Sequence, residues 1–462
     1  MSVPSEELER AAGAAVEAAI AAGADDAEAW VEGSRGREVR VHGGEVESLT
    51  EASGRGAGLR AWLGNRAGYA YGTDLGPEGL RELGRAAAEA ARAADPDQHA
   101  GPPDEAGEPA AIEGLRDPAI AELETAEAIG LAKLIERTAL ERDKRISGVE
   151  EVVYVDEDGE AALASSRGPG GGFAASQCYA YLQAMAAEDS EVQTGLGFGV
   201  GRSARGLDPE AIGAEAAEEA LAMLGAGKPD SRSCPVVLSD RVAASFAGLI
   251  GSSLCADEVQ RGRSPFAERL GEAIASEALS LADDGIDPEG PASAPFDGEG
   301  IPRGRTPLIG DRRLLSYLHD SYTARRGEAR STGNAARGSY RTPPSVAPSN
   351  LLIEPGALSF EEILREAGEG VYVTEVAGLH SGVNPVTGRF SVGATGRSIR
   401  AGELAEPLRE FTVAGELLET LADVRAVGSD SRWVPFGGSV RSSPLLVAEL
   451  AIGGGQASGA EG

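Results

Sequence analysis

The sequence is poor in cysteine, histidine and lysine. It contains three cysteines and four histidines among 462 residues, and only three of its 42 basic residues are lysines. Cys178, Cys234 and Cys255 are widely spaced and form no CxxC pair, which excludes a disulfide scaffold and a cysteine-rich zinc site. No two histidines fall within one helical turn, which excludes a metal-binding HExxH helix.

Long hydrophobic runs and targeting signals are also absent. No stretch approaches the roughly 18 apolar residues of a membrane span, and the N-terminus MSVPSEELER lacks the basic and apolar regions of a signal peptide. Acidic residues outnumber basic residues by 74 to 42, a net charge of −32. Such a surface repels nucleic-acid phosphate and anionic lipid. We therefore expect a soluble, cytoplasmic protein with no nucleic acid and no membrane as partner.

Hydrophobic periodicity and turn residues divide the chain into units of an α+β fold. They predict two N-terminal α/β modules, each an antiparallel meandering sheet flanked by helices, at residues 1–94 and 118–227. A proline-, glycine- and acid-rich stretch at 95–117 predicts a linker. Residues 231–455 predict a β-rich C-terminal domain with few helices, and residues 456–462 a disordered tail. The similar closing helices of the two modules indicate either a duplication or merely a shared alanine-rich composition.

Glycines and polar turns predict short strands in the first module and four strands in the second. We expect them at residues 27–32, 37–42, 45–51, 58–63 and 67–71, and again at 149–155, 160–165, 173–187 and 191–200. In the third unit, residues 240–260 predict one continuous helix. The segment beginning at Ser359 predicts a second helix, because Ser359 and Glu362 form a capping box.

Common catalytic motifs are missing, so individual residues carry the remaining chemical hypotheses. GxSxG, Walker A and helix-opening GxGxxG sequences do not occur. His319, beside Asp320, and His380, in a glycine-rich loop, are each interpreted either as structural or as catalytic residues. Residues 321–341 contain five arginines and one glutamate. These arginines would either clamp a ligand carboxylate or main chain, or pair with acidic neighbours.

Several long segments resemble the TldD/PmbA group of peptidase-related proteins. In the third unit they are QRGRSPFAERLGE (260–272), FDGEGIPRGRTPLI (296–309), YLHDSYTARR (317–326), STGNAARGSYRTPPSVAPSNLLIEPG (331–356), GLHSGVNPVTGRFSVGATG (378–396) and VPFGGSVRSSPLLV (434–447). In the first unit, GAGLRAWLGNRAGYAYGTDL (56–75) is similar to the N-terminal module of the family. The resemblance therefore covers nearly the whole chain.

The resemblance implies a subunit without a metal site. The TldD type of the family carries a metal-binding HExxxH helix, and its partner, the PmbA or TldE type, lacks it. Counting back from Arg261, the two histidine positions fall on Ala247 and Ser252 and the glutamate position on Gly248. Alanine and glycine cannot ligate a metal or act as a general base, and a lone serine is a poor zinc ligand. The cysteine-containing stretch of the TldD type is also missing from residues 434–443.

By the same resemblance, a TldD-like catalytic subunit is the expected partner and carries the metal, zinc, while this chain has no cofactor and no catalytic residue. An unfolded or extended peptide is the expected substrate, held in a chamber between the two subunits. The segment GVNPVTGRFSVG predicts a hairpin whose strand edge could hold a peptide. The residues expected to face partner or peptide, unless they are turn and core residues, are Arg325, Arg326, Arg330, Asn334, Arg337, His380, Asn384, Thr387, Gly388 and Phe390.

Two other functions stay open at this point. A homodimer could assemble a metallopeptidase site from His319, Asp320, His380 and other carboxylates of separate segments. The chain could also be a peptide-binding or chaperone-like module without a protease. The leading prediction is proteolysis by a heterodimer in which this chain completes the peptide chamber.

Overall fold

The computed structural model describes residues 6–103, 107–168, 170–436 and 438–454. Its N-terminal half consists of strands and helices that alternate in blocks. In chain order these are α1 (Glu6–Ala21), β1 (Asp26–His42), β2 (Glu45–Leu63), β3 (Arg66–Gly72), α2 (Pro77–Ala93), α3 (Ala119–Glu122), α4 (Thr125–Arg142), β4 (Ile146–Ser165), β5 (Gly171–Glu188), β6 (Glu191–Gly201), a 3-10 turn (Ala204–Gly206) and α5 (Pro209–Ala222). The expected tail at 456–462 lies outside the described residues.

The strands of both N-terminal modules form one sheet. Its order is β3-β2-β1-β4-β5-β6, and β1 joins the halves by pairing antiparallel with β4 from Glu28 to Val41. Each half runs helix, three strands, helix, so the element order of the first module recurs in the second. The repeated order favours a duplication over a chance likeness of alanine-rich helices.

Three of these strands are longer than the sequence suggests. The expected breaks after residues 32, 51 and 155 do not occur, because β1, β2 and β4 continue through them. Gly33 and Gly36, for example, pair with Arg55 and Ala52. β1 is paired along both edges, and these ladder bonds outweigh the weak strand propensity of glycine. The prediction of short strands is therefore wrong for β1, β2 and β4, whereas the strands expected at 67–71, 173–187 and 191–200 correspond to β3, β5 and β6.

Glycine also lets helices lie directly on the sheet. A methyl group on Gly195 or Gly197 of β6 would overlap the main chain of α5. A methyl group on Gly68 of β3 would likewise overlap the main chain of α2. These contacts need a residue without a side chain, so part of the high glycine content serves close packing of helix on strand.

The C-terminal half is β-rich, as expected, and its helices are short. Its elements are β7 (Arg232–Leu238), α6 (Asp240–Ser253), α7 (Ala256–Gln260), β8 (Leu281–Asp284), β9 (Arg305–Gly310), β10 (Arg313–Leu314), α8 (Ser321–Arg326), β11 (Ala335–Ala336), β12 (Ser345–Val346), β13 (Asn350–Ile353), α9 (Phe360–Ala367), β14 (Gly370–Ala377), α10 (Leu379–Gly382), β15 (Arg389–Arg400), β16 (Glu403–Glu416), α11 (Leu417–Ala422), β17 (Val424–Val427), β18 (Arg432–Val434), β19 (Ser439–Ser442) and β20 (Leu445–Gly453). The α+β fold class is confirmed.

Two sheets enclose the C-terminal core. One has the order β16-β15-β14-β7-β20-β17, and a further pairing of β16 with β20 closes five of its strands into a small barrel. The other has the order β10-β9-β8-β13-β19-β18. Helix α6 contacts β14 of the barrel as well as β13 and β19. The expected helix at 240–260 is two helices, because the chain turns at Leu254 and Cys255, the C-cap of α6 and the N-cap of α7.

Buried charges and aromatic rings join the N-terminal sheet to the C-terminal half. Glu28 of β1 accepts hydrogen bonds from Arg60 at 2.9 Å and from Arg337 at 2.6 Å. Arg60 also donates to Glu299 at 2.8 Å. Next to them, the rings of Trp30, Phe173 and Phe296 meet edge to face. Among the described residues, no helix has the length and hydropathy needed to cross a bilayer.

Candidate functional site

Helix α6 carries the positions that the resemblance assigns to the metal-binding helix of the TldD type. It begins at an N-cap, Ser239, whose hydroxyl accepts the amide of Val242 at 3.2 Å. Its apolar face, which includes Val242, Phe246 and Ile250, is buried in the C-terminal core. Apolar residues at this spacing hold the helix between the two sheets.

The chemistry of three positions on α6 does not fit a metal. Ala247 is 2% exposed and borders an apolar cavity of only about 30 Å³. Gly248 is buried and has no side chain to offer. Ser252 is exposed, and its hydroxyl donates to the carbonyl oxygen of Gly248 at 2.9 Å. These residues provide no imidazole or carboxylate, so they do not form a zinc site.

The histidines named in the homodimer alternative lie in different environments. His319 is buried, and burial lowers its pKa because the charged form is poorly solvated there. Asp320 is the N-cap of α8, with one carboxylate oxygen accepting the amide and the hydroxyl of Thr323 at 2.7 Å each. His380 is exposed on α10. Within the described residues, no three His, Cys, Asp or Glu side chains are grouped as metal ligands.

Arg325 binds main chain of the protein itself. Its guanidinium donates to the carbonyl oxygens of His99 at 2.8 Å, Gly101 at 2.9 Å and Pro102 at 3.1 Å. All three carbonyls belong to the segment expected to be a linker. The expected main-chain clamp therefore exists, but it holds an internal segment instead of a ligand. Arg326, the next residue, is exposed.

Two other residues of the arginine stretch lie inside the protein. The Arg337 side chain is 2% exposed and is bound to Glu28. Asn334 is also buried and donates to Asp283 at 2.7 Å. Their burial differs from the expectation that they face a partner or substrate. Arg330 is exposed, so the stretch is divided between the interior and the surface.

The expected strand edge near Asn384 is not present. β16 pairs with β15 on one side, and on the other side β14 pairs with it only from Gly393 to Ile399. Nearer the turn, Val383 bridges Phe390 and the amide of Asn384 donates to the carbonyl oxygen of Arg389 at 2.8 Å, so the hairpin itself occupies this part of the edge. Phe390 is 4% exposed and meets Phe246 edge to face at 5.1 Å between ring centroids. The side chain of Phe390 is therefore part of the core.

The turn before β15 remains as a surface feature. The side-chain oxygen of Asn384 accepts the amides of Val386 and Thr387 at 3.0 Å each, which fixes the turn. Gly388 is buried and has a φ of +74°, a conformation that favours glycine. Asn384 and Thr387 are exposed, and Val386 is 53% exposed. This turn is accessible, as are Arg326, Arg330 and His380 of the predicted site.

A cavity of about 610 Å³ lies between α5, β6, α6 and β14, and the sequence did not reveal it. Glu219 of α5 receives a hydrogen bond from Arg241 of α6 at 2.7 Å, and burial raises the pKa of Glu219. Phe360, Tyr372 and Phe436 also line the cavity. The available signal was the adjacent pair Glu218 and Glu219, which line the cavity from an alanine-rich helix.

Three family models match successive parts of the chain. They describe PmbA/TldA metallopeptidase domain 1 at residues 27–94, the central domain at 118–224 and the C-terminal domain at 231–454. The chain belongs to the PmbA/TldD family. The resemblance stated from the sequence motifs is therefore confirmed, and the match extends through all three parts of this PmbA/TldD-family protein.

Relatives and solved structures agree with this assignment. Metalloprotease PmbA of Escherichia coli O157:H7 is 31% identical over 453 residues, covering 97% of this chain and 96% of that protein. The PmbA homologue of Haemophilus influenzae is 26% identical, with the same coverage. The fold matches TldE of Thermococcus kodakarensis with a TM-score of 0.87 at 24% identity, covering 96% of this chain and 100% of that one. A candidate modulator of DNA gyrase from Thermotoga maritima matches with a TM-score of 0.87 at 26% identity, covering 96% and 99%.

Proposed function

We propose that this metallopeptidase-family chain is the non-catalytic, PmbA/TldE-like subunit of a TldD-type metalloprotease. The observation that carries the proposal is the chemistry of α6. At its three family metal-site positions stand a buried alanine, a buried glycine and a serine hydroxyl bonded to its own helix. Such a helix keeps its place in the fold without supplying a ligand or a general base.

The role proposed for the chain is to complete the peptide chamber of its partner. The partner is a TldD-like subunit whose HExxxH helix holds the metal, zinc, and the substrate is an unfolded or extended peptide. The pair works in the cytoplasm. The exposed turn at Asn384 and the exposed Arg326 and Arg330 are the candidate contacts with partner or peptide. The match to TldE of Thermococcus kodakarensis supports this subunit type at the level of fold.

A second candidate is a metallopeptidase active in its own right. It is favoured by one observation, the metalloprotease name of the E. coli relative that covers 97% of this chain. Against it, Asp320 already serves as a helix cap and His319 is buried. A ligand set would therefore have to come from two copies of the chain.

Purification of the tagged chain from its own host separates these candidates. We expect a partner of similar size with an HExxxH helix in near-equal amount, identified by mass spectrometry. Zinc measured by plasma mass spectrometry should be near one atom per pair and far below one per isolated chain, and only the pair should cleave unfolded peptide.

The matched control for metal content is Ser252→Ala in this chain. Because Ser252 supplies no ligand in the proposal, this substitution should change neither the zinc content nor the activity of the pair. A homo-oligomer that holds stoichiometric metal and loses peptidase activity with EDTA would instead establish the second candidate.

A further inference from the structure

One long stretch of β2 has a free outer edge. β3 pairs with β2 only from Ala57 to Leu63. Residues 45–55 pair with β1 on the inner side. On the outer side, their amides and carbonyls have no main-chain partner among the residues that the structure describes. Ten of these eleven residues are exposed. An edge of this length is a template for another strand.

Apolar side chains accompany this edge. Val46 and Leu49 of β2 are 37% and 45% exposed. They pair with Val41 and Val39, which are buried in the cluster under α4. Apolar side chains at the edge of the sheet are therefore exposed to solvent, and an added strand would cover them.

The second module shows what occupies the corresponding edge. β6 pairs with β5 only from Cys178 onward, so the preceding part of β5 is the counterpart of residues 45–55. There the amide of Ser176 donates to the carbonyl oxygen of Leu115 at 2.9 Å. The amide of Asp117 donates to the Ser176 hydroxyl, also at 2.9 Å. A segment of the chain itself thus bonds to this edge.

Charge selects the kind of segment that fits the edge of the first module. Glu45, Glu47 and Glu51 lie along it. Glu45 is 3.8 Å from the ammonium of Lys133, and Glu51 accepts the hydroxyl of Thr125 at 2.7 Å. Arg55 at the end of the edge is paired with Glu7 at 3.1 Å. In a parallel, in-register pair with a second copy of this strand, glutamates would lie opposite glutamates, which destabilises a strand pair. We propose that residues 45–55 are a docking strand for an extended polypeptide segment with basic side chains, bound by β-sheet addition.

A synthetic peptide tests the proposal on the full-length chain. The probe is a capped nine-residue peptide that alternates lysine with valine or threonine, and its affinity is measured by fluorescence anisotropy. We expect saturable binding that weakens as salt is raised. Hydrogen–deuterium exchange should show slower amide exchange within residues 45–55, because sheet addition gives those amides new acceptors.

Charge reversal provides the matched variants. Glu47→Lys with Glu51→Lys should weaken binding of the lysine peptide at least tenfold and favour a peptide with glutamate in place of lysine. Glu361→Lys with Glu366→Lys makes the same charge change on the exposed side of α9 and should leave both affinities unchanged. Each result follows from the position of the glutamates at the edge.

Four outcomes would overturn the proposal. They are no binding of the lysine peptide, equal binding of the glutamate peptide to the unmodified chain, protection confined to other residues, and protection of residues 45–55 by self-association without peptide. The last outcome would assign the edge to a second copy of the chain. None of these results depends on the proposed partner or on peptidase activity, so a failure here is distinct from a failure of the proposed function.

Discussion

At the residue scale, Arg337 is held in the interior by a carboxylate that is remote in sequence. Its side chain and that of Glu28 are 2% and 0% exposed. Arg60 shares Glu28 and connects it to Glu299. A buried ion pair of this kind adds little net stability compared with apolar residues, but the loss of one partner leaves an uncompensated charge.

Arg337→Met should therefore lower the free energy of unfolding by about 3–5 kcal/mol, the usual cost of breaking a buried pair. Urea denaturation followed by circular dichroism measures the change. The comparison variant is Arg326→Ala, an exposed arginine of the same stretch, for which we expect a change within about 0.5 kcal/mol. Equal effects of the two substitutions would contradict the buried placement of Arg337.

His319 makes the stability of the protein depend on pH. Burial lowers its folded-state pKa below the ordinary value of 6.5. The unfolded chain therefore binds a proton before the folded chain does, and stability that is present above pH 6.5 is lost as the pH falls toward the folded-state pKa. The loss is at most about 1.4 kcal/mol per pH unit.

His319→Gln should remove this contribution. As the pH falls from 7.5 to 5.5, we expect the unfolding free energy of the original chain to decrease more than that of the variant. Urea titrations at both pH values measure it. Because the other titrating groups are shared, a difference that does not vary with pH would show that His319 does not titrate in this way.

At the scale of elements, the contact of β6 with α5 depends on glycine. A Cβ atom on Gly197 would overlap the carbonyl oxygen of Ile212, whereas a Cβ atom on Gly130 in α4 would have no neighbour within 4 Å. Gly197→Ala should cost about 1–3 kcal/mol, since helix and strand must separate. Gly130→Ala should stabilise the protein by up to about 1 kcal/mol, because alanine is the better helix former. Thermal unfolding distinguishes the two.

Elements whose signals are local were predicted well from the sequence. The capping box of Ser359 and Glu362 marks the start of α9, and both of its hydrogen bonds are present. The continuity of β1 and the place of β15 between two other strands were not predictable in this way. Those features depend on pairing with strands far along the chain, such as β4 for β1.

At the scale of the whole molecule, Arg325 fastens the segment between the modules to the C-terminal half. Its three hydrogen bonds reach carbonyls more than 220 residues away in sequence. A lysine could not replace it, since one ammonium group lacks the planar fork that spans three acceptors. Tyr322 adds a hydrogen bond to Asp97 at 3.0 Å in the same contact.

Arg325→Ala should free this segment. Each lost hydrogen bond is worth about 1 kcal/mol, and 1.4 kcal/mol is a factor of ten in the open population, so cleavage within residues 95–117 should be at least tenfold faster. Limited proteolysis with a glutamate-specific protease, read by mass spectrometry, measures this rate. The Arg326→Ala variant should be cleaved at the same rate as the original chain. A similar increase of the cleavage rate in both variants would argue against the clamp.

The sequence by itself determined the acidic composition, the α+β class, the family and the absence of ligand residues at Ala247, Gly248 and Ser252. These depend on residue identity and on spacing over a few residues. Only the tertiary structure decided that the two modules share one sheet, that Arg325 and Arg337 hold internal partners, and that residues 45–55 form an open edge. The physical reason is the distance along the chain between interacting residues. Arg337 and Glu28, for example, lie 309 residues apart in sequence. A local sequence pattern does not predict which remote group will neutralise a buried charge or cover a strand.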